Sequence, residues 1–251
     1  MHERGPVTVA GVDALQADDG PIFAVIGVFD GLHRGHVYLL DHLVREALAR
    51  GARPCVITFD HHPDSVLTGS APPLLLHPEE RLERLADAGV DVIVVQHFDD
   101  TVRRTTYAEF LETIRRGTTL AGLLMTPDAA FGYERAGTPE AVGELAAKDG
   151  FDLVVIEPFT IDGGAVRSTD IREAIERGHL EGARRLLGRP VGLRGELHGG
   201  CVTFEWPMAM PPEGDYPARI DGRPTTATVE GATVRVPEGM SEGTVRVEFM
   251  A

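Results

Sequence analysis

Lysine is almost missing from this chain: Lys148 is the single one in 251 residues, so the 24 basic side chains are otherwise arginine. A Walker-type phosphate loop, which needs Gly-Lys-Ser/Thr, cannot be written, and Schiff-base chemistry would have to use Lys148. Cysteine is scarce too. Cys55 and Cys201 form no Cys-x-x-Cys spacing, so neither a thiolate zinc site nor a disulfide framework is expected. Positive charge is in deficit, 24 Lys+Arg against 39 Asp+Glu for a net charge of −15. That argues against nucleic-acid binding, which needs a basic face to replace counterions, but it leaves room for a small anion in a locally positive pocket. No apolar run approaches the length of a membrane span, so no membrane partner is expected. Residues 1–20 hold Asp13, Asp18 and Asp19 and no apolar stretch, which predicts no secretion signal and a reduced, cytoplasmic protein.

What is present describes an ordinary globule, with 43% hydrophobic and 25% charged residues. A chain of this length buries roughly 70–75% of its unfolded surface, enough for one large domain or a medium and a small one. Five short apolar runs, at 22–29, 54–59, 90–98, 120–125 and 153–158, are bounded by Gly, Pro or Asp and mostly lack alternation. Strands buried on both faces read this way. Helical patterns lie between them. Leu39, Leu40, Leu43, Val44, Ala47 and Leu48 recur at helical spacing, with Gly51 as the stop. Pro78 opens a second helix, Thr106 caps a third, and Thr138-Pro139 begins a fourth. The alternation predicts an α/β fold with a doubly wound parallel sheet. Helical stretches at 170–177 and 180–187 then give way to a Gly- and Pro-rich tail. Short alternating runs at 202–206, 216–220, 225–229, 232–236 and 244–249 predict a small C-terminal antiparallel β domain. The domains expected are therefore 1–187 and 188–251.

The most informative stretch runs from Gly27 through Val28, Phe29, Asp30, Gly31, Leu32, His33, Arg34 and Gly35 to His36, between the first strand and the first long helix. Ligands of open α/β sheets bind outside the carboxyl ends of the strands. Gly27, Gly31 and Gly35 let the backbone approach a ligand, and a helix N-terminus suits phosphate oxygens. His33 and His36, three apart, project to one side and can match charge developing in phosphoryl transfer. A second stretch is Ser168-Thr169-Asp170-Ile171-Arg172. Ser168 or Thr169 can cap the helix there, and Arg172, one turn in, can fork onto phosphate oxygens. The alternative is an ordinary capped helix with a surface arginine.

His-x-Gly-His in this position resembles the signature of the nucleotidylyltransferases, whose fold is Rossmann-like. The wider sequence is similar to one family, the prokaryotic-type FAD synthetases (bifunctional riboflavin kinase/FMN adenylyltransferases). Thr58-Phe59-Asp60-His61-His62-Pro63 resembles that family's Thr-Phe-Glu-x-His-Pro segment, and Asp128-Ala129-Ala130-Phe131-Gly132 its flavin-site loop. Arg167-Ser168-Thr169-Asp170-Ile171-Arg172 resembles its Ser-Ser-Thr-x-x-Arg nucleotide motif, and Leu186-Leu187-Gly188-Arg189-Pro190 the passage into its second domain. The resemblance covers about 20 to about 190. Ala129, Arg167 and His61 depart from the pattern, so the adenylyl half is better preserved than the flavin half.

The resemblance implies that ATP and FMN are the partners. His33 and His36 would hold the reacting phosphates, and Ser168, Thr169 and Arg172 the triphosphate tail. Gly27, Phe29, Asp30, Gly31 and Gly35 would shape the nucleotide loop. Mg²⁺ would ride on the ATP phosphates without a dedicated protein ligand, with Asp30 bracing the turn. Phe59, His62, Pro63, Asp128, Phe131 and Gly132 would meet the flavin. For Phe59 and His62 a core ring with a capping histidine is the competing reading, and Asp128 can equally start a loop. The family's kinase domain needs a Gly-x-Pro-Thr-Ala-Asn segment and a later catalytic glutamate. Residues 201–207 offer no equivalent, and the tail is short for the full barrel and its helix, which predicts a reduced, non-kinase domain. Trp206 reads as a packing residue. The function expected is transfer of AMP from ATP to FMN. The alternatives are another phosphorylated acceptor or CTP, or a non-catalytic flavin- or nucleotide-binding regulator.

Overall fold

The structure, a computed structural model, describes residues 5–250. Residues 1–4, which belong to the N-terminal stretch and the 1–187 region discussed above, lie outside the described residues, as does Ala251. By packing, the chain divides into two compact units. Among the described residues, one comprises 5–29, 37–72 and 82–159, the other 30–36, 73–81 and 160–250. This division follows spatial contact, whereas a cut at 187 follows chain order. The two differ because the helices after residue 160 pack with the 30–36 segment.

The first unit carries six strands: β1 (Val7–Ala10), β2 (Ile22–Ile26), β3 (Arg53–Phe59), β4 (Val92–Gln96), β5 (Leu120–Met125) and β6 (Asp152–Val155). They form a sheet of order β1-β4-β3-β2-β5-β6, parallel throughout. The doubly wound parallel sheet is thus present. β2 and β3 are buried along almost their whole length, which is why their sequences run apolar without alternation. β1 was not anticipated: it is a four-residue edge strand alternating between half-buried and exposed, and carries no buried run. The first apolar run stops being a strand at Ile26, because Phe29 already turns into the left-handed region at φ 54°.

Helices α1 (Arg34–Ala49), α2 (Asp64–Leu67), α3 (Pro78–Asp87), α4 (Asp100–Arg104), α5 (Tyr107–Gly117) and α6 (Pro139–Asp149) connect the strands. The expected caps are formed. The Thr106 hydroxyl accepts from the Glu109 amide at 3.2 Å while the Glu109 carboxylate accepts from the Thr106 amide at 3.0 Å. Thr138 accepts from the Ala141 amide at 3.3 Å, with Pro139 leading α6. Phe110, Leu111 and Ile114 of α5 join Ile22, Ile57 and Val94 of the sheet in one core. Each such side chain contributes about 1.5–3 kcal/mol by its burial. None of the described helices is long and apolar enough to cross a membrane.

The second unit contains a hairpin, β7 (Thr160–Ile161) with β8 (Gly164–Ala165), and helices α7 (Ser168–Glu176) and α8 (Leu180–Leu187). Strands β9 (Val191–His198), β10 (Cys201–Thr203), β11 (Gly214–Ile220), β12 (Arg223–Glu230), β13 (Thr233–Arg235) and β14 (Gly243–Phe249) follow. They close into an antiparallel barrel, β10-β13-β12-β11-β14-β9. The small C-terminal β domain is thus present, and although the tail was expected to be short for the family's full barrel and its helix, its six strands do close. β9 supplies the closure, pairing with β14 from Val191 to Leu197 and with β10 at Leu197↔Val202. It was missed because Gly192 and Gly195 interrupt its apolar residues. Leu193, Val202, Ile220, Val229, Val234 and Val247 are among the side chains buried in this unit. Both cysteines are free thiols.

Candidate active site

The sheet reverses its strand order around β2, with β3 on one side and β5 on the other, and the loop leaving β2 starts at that reversal. Within the second unit, residues 30–36 of this loop adopt a strained path. Gly31 has φ 81°, and so has little cost there, but Leu32 adopts φ 36° with a side chain that is buried. Non-glycine residues in this region cost of order 1–3 kcal/mol each and persist only when their surroundings over-determine them. Here they are over-determined. The buried Asp30 carboxylate accepts from the Leu75 amide at 3.0 and 3.1 Å and from the Arg172 guanidinium at 2.5 Å. Arg172 also donates to the Pro73 carbonyl at 2.8 Å. The Ser168 hydroxyl donates to the Asp30 carbonyl at 2.9 Å. Arg189 donates to the carbonyls of Gly31 at 2.6 Å and Leu32 at 3.1 Å.

The loop delivers His33 to the residue before α1, where its Nδ1 accepts from the His36 backbone amide at 3.2 Å. His33 thereby acts as an N-terminal cap, and its proton sits on Nε2. The His33 and His36 rings stack at 3.7 Å between centroids with 16° between planes. Gly35 lies between them because a Cβ there would stand 3.1 Å from the His33 ring and 3.3 Å from the Val166 carbonyl. Burial, with Arg189 and then Arg172 nearby, lowers the His33 pKa to about 4. Burial likewise drives the His36 pKa well below its ordinary value, helped by His33 and then Arg189. Both imidazoles are therefore neutral at physiological pH, and Nε2–H of His33 is a hydrogen-bond donor.

Two sequence expectations change at α7. No side chain caps this helix; its cap residue is Arg167, and Ser168 spends its hydroxyl on Asp30 instead. Arg172 is not a surface fork but a buried partner of Asp30. Thr169 is exposed in the first turn. Arg189 was not singled out as a site residue, although it lies in the Gly-Arg-Pro passage; only its contacts with the loop reveal it.

The flavin-like residues belong to the first unit. A pocket of about 660 Å³ opens at the carboxyl ends of β2, β3, β4 and β5. Gly27, Phe59, Pro63, Phe131 and Gly132 line it, but His62 and Asp128 do not. His62 Nδ1 accepts from the Asp64 amide at 3.2 Å, and Asp128 accepts from the Thr126 hydroxyl at 2.8 Å. Phe29 is also outside the lining and is buried. The sequence reading missed Phe98, Phe110, Arg103 and Arg135 among the lining residues. Phe98 follows β4 as Phe59 ends β3, a parallel that could have found it; the arginines carry no such signal. Phe59 and Phe98 meet edge to face at 5.3 Å, and Phe110 and Phe131 at 6.1 Å. Glu134 and Arg135, both lining, have φ 52° and 57°. Gly132 is obligatory where it stands, with φ 77° and the Tyr107 backbone packed against its Cα.

The sequence model of one family, FAD synthetase, matches residues 15–170. The bifunctional riboflavin kinase/FMN adenylyltransferase of Pseudomonas fluorescens is 31% identical over 193 residues, covering 76% of this chain and 62% of that protein. Its counterpart from Escherichia coli (strain K12) is 31% identical over 202 residues, covering 78% and 64%. The matched region thus spans less than two thirds of either relative. A solved structure described as a macrolide-efflux protein from Streptococcus pneumoniae superposes with a TM-score of 0.81 at 24% identity, covering 97% of this chain and 89% of that one. That likeness is one of fold.

Proposed function

Because the chain belongs to the FAD synthetase family, we propose that it is an FMN adenylyltransferase, transferring AMP from ATP to FMN with release of pyrophosphate. The observation that carries this reading is a pocket suited to a planar ring, lined by Phe59, Phe98, Phe110 and Phe131, whose wall at Gly27 and Val28 runs on in sequence into the paired histidines. The FMN phosphate oxygen attacks the α-phosphorus in line. A new P–O bond forms as the bond from the α-phosphorus to the bridging oxygen breaks, and pyrophosphate leaves. No covalent enzyme intermediate is needed; orientation and charge stabilisation suffice.

His33 and His36 are assigned to the phosphates at the reacting end. Neutral donors that gain charge complementarity only as negative charge builds stabilise the transition state more than the ground state. Ser168 and Thr169 are assigned to the triphosphate tail through the backbone N–H groups at the uncapped N-terminus of α7, since the Ser168 hydroxyl already donates to the Asp30 carbonyl. Arg172 and Arg189 serve as positioning residues that hold Asp30, Gly31 and Leu32. Asp30 is committed to Leu75 and Arg172, so it does not fit a metal ligand. Mg²⁺ is assigned to the nucleotide phosphates, where it would neutralise their charge. Gly27, Phe59, Pro63, Phe131 and Gly132 would receive the flavin, with His62 and Asp128 supporting its loops. The reading assigns the activity to the cytoplasm and expects no nucleic-acid or membrane partner, in keeping with a net charge of −15 and the lack of a long apolar run.

Residues 188–251 are assigned no riboflavin kinase activity, on the missing Pro-Thr-Ala-Asn segment. Purified chain with ATP, Mg²⁺ and FMN should yield FAD and pyrophosphate by chromatography, while riboflavin with ATP should yield no FMN. Turnover of CTP or of another phosphorylated acceptor without FAD would overturn the acceptor. Tight flavin binding without any turnover would overturn the activity. FMN made from riboflavin would overturn the reading of the tail.

A further inference from the structure

β3 and β4 are parallel neighbours whose register pairs Phe59 with Gln96. The residues that leave the two strands therefore emerge side by side at the carboxyl edge of the sheet: Asp60 and His61 from β3, His97 from β4. One oxygen of the Asp60 carboxylate accepts from the His61 amide at 2.8 Å and the Phe98 amide at 3.2 Å. The carboxylate is thus oriented by backbone before either imidazole is considered. Its other oxygen lies 2.5 Å from His97 Nδ1, and His61 Nδ1 lies 3.2 Å from the first. One donor atom from each of the three residues falls within 4.8 Å of the others.

We propose that Asp60, His61 and His97 bind a divalent transition-metal ion of the zinc class. Two imidazole nitrogens and one carboxylate oxygen are a donor set for Zn²⁺, Co²⁺ or Ni²⁺, whereas Mg²⁺ and Ca²⁺ take oxygen. Metal–ligand distances of about 2.0–2.2 Å require donors about 3–3.5 Å apart. The two histidine side chains, 48% and 67% exposed, can rotate to that spacing while the carboxylate stays anchored. The ion replaces the proton shared between His97 and Asp60. Three protein donors leave at least one position for water or an anionic ligand, next to Phe59 and Phe98 of the pocket wall. The inference does not depend on the transferase reading.

The test is calorimetric titration of the full metal-free chain with Zn²⁺ and optical titration with Co²⁺, without nucleotide or flavin. One ion per chain is expected, with affinity lowered at least about tenfold in each of His61→Ala and His97→Ala and unaffected in His36→Gln. Zn²⁺-soaked crystals should show anomalous density at Asp60, His61 and His97. Equal Zn²⁺ affinity in wild type and the His61→Ala/His97→Ala double variant overturns the proposal, as does a Zn²⁺ peak confined to His33 and His36. Because both substituted side chains are exposed, the variants should keep wild-type circular dichroism. Should either fail to fold, the crystal soak of the wild type decides alone.

Discussion

Asp30 and Arg172, 142 residues apart in sequence, form a 2.5 Å ion pair whose side chains are only 4% and 10% exposed. The contact joins the loop preceding α1 to the second turn of α7, the two segments that carry the phosphate-like motifs. Both charges are desolvated, and each is held by further hydrogen bonds, to the Leu75 amide and the Pro73 carbonyl. A buried pair of this kind is weak evidence for net stability, but removing one partner leaves a costly charge behind.

Arg172→Ala should therefore destabilise the protein by about 3–5 kcal/mol, measured by urea denaturation. Asp30→Asn/Arg172→Leu, which removes both charges, should recover much of that loss. An Arg172→Ala variant as stable as wild type would show that the pair is open in solution.

His36→Ala should lower kcat for FAD formation by at least about 10²-fold, the loss usual for one transition-state donor. Rapid-quench assay with ATP and FMN reads it. The KM for FMN should move little, since His36 does not line the aromatic pocket. Turnover near normal would remove His36 from the chemistry.

Gly35→Ala tests the stacked geometry without deleting a functional group. The added methyl would meet the His33 ring at 3.1 Å and the Val166 carbonyl at 3.3 Å, so the ring must give way by a few tenths of an ångström. Misplacing a reacting group by about 1 Å costs about 10²-fold, so a smaller shift should lower kcat by about tenfold. The melting temperature should change much less than in Arg172→Ala.

Titration supplies a separate check. A histidine whose pKa is depressed on folding costs stability as pH falls below its unfolded value near 6.5, because the unfolded chain then binds the proton more readily. For His33 the loss accumulates from pH 6.5 down to about 4 and levels off below. Wild type should thus lose melting temperature over that window more steeply than His33→Gln. Asp60 does not confuse the reading. Burial raises its pKa, but hydrogen bonds from His97, His61 and the Phe98 and His61 amides together outweigh that and lower it to about 2, so its contribution disappears only below the unfolded carboxyl value near 3.8. Parallel curves for the two proteins would mean that His33 titrates normally.

Several features were legible because they depend on local chemistry. β2 and β3 announced themselves as unalternated apolar runs, and Thr106 and the adjacent pair Thr138-Pro139 marked helix starts by residue type; that Glu109 completes the Thr106 cap was visible only in the structure. β1 and β9 were not legible. An exposed edge and a glycine-interrupted run carry no pattern, and pairing with β4, β10 and β14 alone makes them strands.

The same distinction runs through the candidate site. Sequence by itself determined the parallel α/β class, the Gly-rich turn, the His33/His36 pair and the ring-lined segment at Phe59, since each is set by residue type and short-range spacing. Tertiary structure decided that Ser168 serves Asp30 rather than capping α7, that Arg172 is buried, and that Arg189 holds the loop. It also separated Phe131 and Gly132, which face the pocket, from His62 and Asp128, which do not. The physical reason is reach. A hydroxyl, carboxylate or guanidinium takes whichever partner the fold brings within about 3 Å, and that partner can stand 138 or 157 residues away, as with Ser168 on Asp30 and Arg189 on Leu32.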